Sequence, residues 1–324
     1  TAGTYDVSWS KVVGGILRRV VRRFVVAEPF IEYPIAFHYG DFDSVYGDAS
    51  VEAAATAGRV FADTPDGTYE WGELEVVSNT TSNTQYLWTP MTDMTANVLM
   101  VAGGGGGGAQ IGGGGGAGGL LFYDGETLSG QKTIVVGNGG SGSTYVDNAS
   151  LVGDNGSNTH FTNLTSVIGG GGGASYYVHT AGNDGGSGGG GSAGGSNTGG
   201  AGTSSQGFAG GTGLNTNWAG GGGGGAMAVG SNASANTGGG GGVGKELSTV
   251  FGSTYGDNGY FAGGGGGGGQ STGGGGGVGG GADGRESGGT PTNAIKHTGG
   301  GGGGSRNTGG SNAGSGVVII KQTS

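Results

Sequence analysis

The chain has 324 residues, 94 of them glycine, no cysteine and a formal net charge of −10. Without thiols there are neither disulfides nor cysteine-ligated metals, and the acidic balance argues against non-specific nucleic-acid binding as the main task. No apolar run approaches the ~20 residues that span a bilayer, and the opening residues show no signal-peptide pattern.

Glycine divides the sequence: 8 of the 94 lie in residues 1–102 and the remaining 86 follow. This predicts a module over 1–96 and a glycine-rich domain over 97–324. In the first module, Val13, Ile16, Leu17, Val20, Val21 and Phe24 recur at helical spacing, with Arg18, Arg19, Arg22 and Arg23 on the other side. That is the pattern of an amphipathic helix over about 10–26, although its many valines keep a strand reading open. The basic face fits an arm docking into an acidic partner, a membrane-surface helix or an ordinary solvated surface; if it is functional, the four arginines are docking candidates. Residues 49–57 are alanine-rich and predict a short helix. Tyr69, Trp71, Leu74, Val76 and Val77, then Tyr86, Leu87 and Trp88, predict two strands across a polar loop, and 95–102 predicts a third. The expectation for 1–96 is a small mixed α/β or β-rich module.

Eight runs of five or more glycines punctuate 103–304, several entered through a large apolar residue and Ala, as at Trp218-Ala219 and Phe261-Ala262. A flexible linker is one reading of such composition. Against it stand the similar run lengths, the apolar residues at run boundaries and the closing strand Val317-Val318-Ile319-Ile320. The alternative is a bundle of polyglycine II helices, three residues per turn and about 3.1 Å per residue. Neighbouring rods would exchange backbone hydrogen bonds at a separation that only glycine permits. The expected class is therefore mainly irregular and β, a polyglycine II bundle flanked by strands. Residues 120–166, including Thr133-Ile134-Val135-Val136, read as β-structure leading into it.

The sequence Val98-Leu99-Met100-Val101-Ala102-Gly103, the glycines 169–173 and the ending Gly314-Ser315-Gly316-Val317-Val318-Ile319-Ile320-Lys321 resemble the glycine-rich domain of viral fibre and tail proteins over about 97–321. They are similar to tail-fibre tip adhesins, in which polyglycine II rods alternate with variable receptor-contacting loops. The resemblance implies a virion surface, tail or fibre component, with rods as scaffold and loops as contact surface.

Segments between runs are rich in Ser, Thr and Asn with occasional rings. Tyr176, Tyr177, His179, Tyr255 and His297 are the receptor-contact candidates, because flat rings stack and polar neighbours bond; capping of a glycine run is the competing role. For Trp218 and Phe261, each just before a run, capping is the expected role. Catalytic signals are poor. Glycine motifs arise by composition alone, and Glu246 stands where the Gly239–Lys245 stretch would need Ser or Thr to serve as a phosphate loop. The histidines lack zinc spacing, and Asp41, Asp43 and Asp48 lack the further ligands of a calcium loop. No enzyme, cofactor or metal is expected. The expected partners are other virion proteins, through the amino-terminal module, and a host-cell glycan or protein, with homo-oligomerisation open. A capsid decoration or cement protein is the alternative, and an ice-binding protein a remote one, since it would need uniform short repeats.

Overall fold

A computed structural model of the protein describes residues 3–13, 16–26, 34–40, 42–44, 58–64, 67–146, 151–177, 181–216, 218–289 and 292–323. In chain order the strands are β1 (Gly3–Val13), β2 (Ile16–Val26), β3 (Ile35–His38), β4 (Phe42–Ser44), β5 (Gly58–Thr64), β6 (Gly67–Asn79), β7 (Asn83–Pro90), β8 (Met94–Val101), β9 (Leu120–Leu128), β10 (Lys132–Gly137) and β11 (His160–Phe161). There follow β12 (Lys245–Glu246), the single-turn helix α1 (Ser248–Phe251), β13 (Tyr260–Phe261) and β14 (Val317–Thr323).

The helix expected over about 10–26 is not formed. Its residues continue from β1 into β2, an antiparallel hairpin that pairs Val13 with Ile16 and Gly3 with Val26. Dense β-branching explains the outcome: valine and isoleucine lose side-chain freedom in a helix and fit a strand. Arg18, Arg19, Arg22 and Arg23 therefore sit on β2, opposite Lys11, Ser10, Val7 and Asp6. The helix expected over 49–57 lies outside the described residues.

Two five-stranded antiparallel sheets, ordered β11-β10-β7-β6-β5 and β4-β3-β14-β8-β9, share one apolar core. Both draw strands from before and after residue 96. Phe37 of β3 meets Tyr86 and Trp88 of β7 edge-on, with ring centroids 5.5 and 6.0 Å apart. The Tyr86 hydroxyl donates to the His38 carbonyl at 2.6 Å. On β7 burial alternates, as period-two geometry requires. On β8 and β14 it does not: Val98–Val101 and Val317–Ile320 are buried throughout. The second face of their sheet is covered by 245–262, where Leu247, Phe251, Tyr255 and Phe261 pack against Leu99, Val101, Leu120, Val317 and Ile319. A continuous apolar run thus marks a strand covered on both sides.

Beyond the sheets, the described glycine runs form no β-ladder but a regular bonding scheme of period three. The N–H groups of Gly103 and Gly106 donate to Ser157 and Asp154, those of Gly104 and Gly107 to Gly314 and Ser311, and those of Gly105 and Gly108 to Gly116 and Gly113. One run thereby reaches three neighbours in rotation. The run 112–119 exchanges hydrogen bonds with six segments: 102–108, 168–174, 187–190, 221–224, 265–268 and 299–305. Every residue of 103–119 is buried although almost none carries a large side chain. Here the backbone itself is the interior, and its polar groups are satisfied by one another.

This close approach restricts the residue type. A Cβ on Gly105 would stand closer than 3.0 Å to the Gly171 carbonyl oxygen, a separation real Cβ atoms do not reach. At Gly275, on the exterior of the array, a Cβ would meet nothing within 4 Å. Gly105→Ala should consequently cost ~3 kcal/mol or more, as overpacking a rigid interior does, while Gly275→Ala should leave the midpoint of thermal unfolding within about two degrees. Equal melting temperatures for the two variants would show that the interior is not close-packed backbone.

Candidate functional site

The hydrogen-bond scheme fixes which turns lie together. From β8 the run 103–108 leaves the sheets, and 112–119 returns antiparallel to it and ends at β9. The turn 109–111 is therefore distal. Tracing the same pairings places residues 144–146, 175–177, 193–197, 214–219, 233–237, 269–272, 286–289 and 306–309 at that distal end. Residues 203–207, 226–229 and 245–261 lie at the sheet end.

The distal turns close over a strained centre. Gln110 and Ile111 hold φ of 52° and 55°, a backbone region a β-branched residue seldom occupies. They are buried beneath their neighbours: the Ile111 N–H donates to the Arg306 carbonyl, the Ala193 N–H to the Ile111 carbonyl, and the Ala109 N–H to the Ser175 hydroxyl at 3.0 Å. These bonds tie separate turns into one surface. On it, Tyr176 stacks on Trp218 with centroids 5.3 Å apart and 23° between planes, and Tyr177 meets Tyr176 edge-on at 4.7 Å. Tyr177 is 50 % and Trp218 43 % exposed. Three rings from two turns thus form a preassembled aromatic cluster open to solvent.

Of the residues expected to contact a receptor, Tyr176 and Tyr177 fall in this cluster, and His179 lies outside the described residues. Tyr255 does not reach the surface. It is 6 % exposed, within the segment covering the outer sheet face, and its hydroxyl donates to the Pro34 carbonyl at 3.2 Å. His297 lies away from the cluster, near the sheets, its ring 4.2 Å from that of His38. Conversely, Trp218 was expected to cap its run as Phe261 does. Phe261 is fully buried, whereas Trp218 precedes a run at the distal end, where no sheet covers it. What separates them is the direction in which each run crosses the array, which is absent from the local sequence.

A family described as a glycine-rich domain matches residues 80–323. The chain belongs to the glycine-rich domain family. No curated protein matches it. The family match begins within the β6–β7 connection and ends with β14, so the glycine-rich domain takes in the central strands of the sandwich together with the backbone array. Among the described residues no group of three acidic or histidine side chains gathers as a metal site, and no helix is long and apolar enough to cross a membrane.

His38 gives the domain a measurable response to pH. Burial, and secondarily the neighbouring His297, lowers its pKa from 6.5 to about 3. The folded state then binds fewer protons than the unfolded state between these values, so this stabilisation is complete above pH 6.5 and is lost as pH falls toward 3. Denaturant titrations between pH 6 and 4 should lose up to ~1.4 kcal/mol per pH unit from this group. A His38→Gln variant should lack that share of the slope; an unchanged slope would assign the effect to the carboxylates.

Proposed function

We propose that this protein is a virion structural component, of a tail fibre or the virion surface, that binds a host-cell glycan or protein through its distal turns. In this reading the glycine runs are polyglycine II rods in a hexagonal array. Three-residue periodicity, bonding to successive neighbours in rotation and six neighbours around 112–119 support that assignment. The sandwich end, continuous with residues 1–96, faces the particle, and the basic strand β2 is the docking candidate. The observation that carries the binding role is the exposed Tyr176–Tyr177–Trp218 cluster on a scaffold fixed by backbone hydrogen bonds. Rings already held in place lose little freedom on binding, which is the condition for a hot spot.

Labelled full-length protein is expected to bind intact host cells. The double substitution Tyr177→Ala with Trp218→Ala should weaken binding by ~30-fold or more, as loss of a hot spot of at least 2 kcal/mol does, with an unchanged melting temperature because both side chains are half-exposed. Binding to virus particles but not to cells would instead make the distal surface a contact between virion subunits, as in a capsid decoration protein.

A further inference from the structure

A concavity of about 390 Å³ opens on the flank of the array, beside the sandwich and apart from the distal turns. It lies between Tyr39, the stretch 138–141, the segment carrying Asn293, Lys296 and His297, and the stretch from Asn312 to Ser315. Its volume is in the range that holds small ligands, roughly 300–1,000 Å³. Apart from Tyr39 and two alanines the lining residues are polar or glycine.

The polar groups are biased toward donation. The Asn293 side-chain oxygen accepts the Asn312 N–H at 3.1 Å, and the Asn312 oxygen accepts the Gly142 N–H at 2.8 Å. With each oxygen accepting a backbone N–H, Asn293 and Asn312, which line the cavity, keep their amide nitrogens as donors. Lys296 adds a cation, and no Asp or Glu lines the cavity, in a chain of net charge −10. Asn138 is held from both sides, its oxygen accepting the Gly139 N–H and its nitrogen donating to Thr81. The Ser315 hydroxyl is hydrogen-bonded to His297. These contacts fix the walls before any ligand arrives.

We propose that this cavity binds an anionic saccharide unit, its carboxylate or phosphate on Lys296 and the Asn293 and Asn312 amides, and its hydroxyl-bearing body along the Asn-, Ser- and Gly-lined wall. The two amides and the ammonium line one opening, and charge-assisted bonds are the stronger ones. The site shares no residue with the distal cluster, so it stands or falls separately from the role proposed for that surface.

Calorimetric titration of the full chain with glucuronate, glucose 6-phosphate and glucose tests this. At least one anionic sugar should bind while glucose does not, and which of the two binds tells carboxylate from phosphate. Lys296→Met should weaken that binding ~10-fold or more with an unchanged melting temperature, since Lys296 is exposed. Three results would overturn the assignment: no heat from either anion up to ~10 mM, glucose binding as well as the anions, or equal affinity in Lys296→Met.

Discussion

Everything in this molecule follows from the distance at which two polypeptide backbones can approach when neither carries a side chain. A residue in the array commits its N–H to one neighbour and its C=O to another, as along 103–108 and 112–119. A backbone hydrogen bond contributes about 0.5–1.5 kcal/mol net, and ordering one residue costs roughly 1–2 kcal/mol, the most for glycine. The two nearly cancel. A glycine run does not stabilise itself; it is stable because neighbouring segments, six of them around 112–119, already surround it and an apolar body holds one end.

That body is the β-sandwich. Its sheet β4-β3-β14-β8-β9 is covered on one face by the second sheet and on the other by 245–262. The array issues directly from β8 and returns directly into β9 and β14, so the positions of the first and last runs are set by strand register. The division of labour is spatial: large side chains gather where the chain enters and leaves the array, and carbonyls and amides fill the space beyond. Turns at the distal end are then free of any duty toward the apolar core, which is why Tyr177 and Trp218 can remain exposed there.

Much of this was legible in the residues. The strands at Tyr86–Trp88, Val98–Val101, Thr133–Val136 and Val317–Ile320 could be read from apolar pattern, because strand formation there depends on local side chains. Over 10–26 six apolar residues at helical spacing point to a helix and the valines to a strand; the β-branching prevails, as β1–β2 shows. The segment 245–262 passed for one more loop because a cover over a sheet is defined by its partner. Tyr255 belongs to that cover, and Trp218, with the same local grammar as Phe261, points outward. In both cases what matters is the end of the array at which a residue lies. Short crossings such as 182–186 and 208–213, interrupted by Asn, Asp or Thr, make that parity impossible to count from homopolymeric runs alone.

The place of β14 bears on how the molecule is made. Val317–Ile320 occupies the middle of its sheet, between β3 and β8, which come more than two hundred residues earlier. Until the ribosome has delivered that segment, β3 and β8 lack the strand that joins them. Most contacts in the fold join residues distant in sequence, a topology that folds slowly. The strand that joins the sheet is thus supplied after every crossing of the array, and β14 acts as a bolt that closes it.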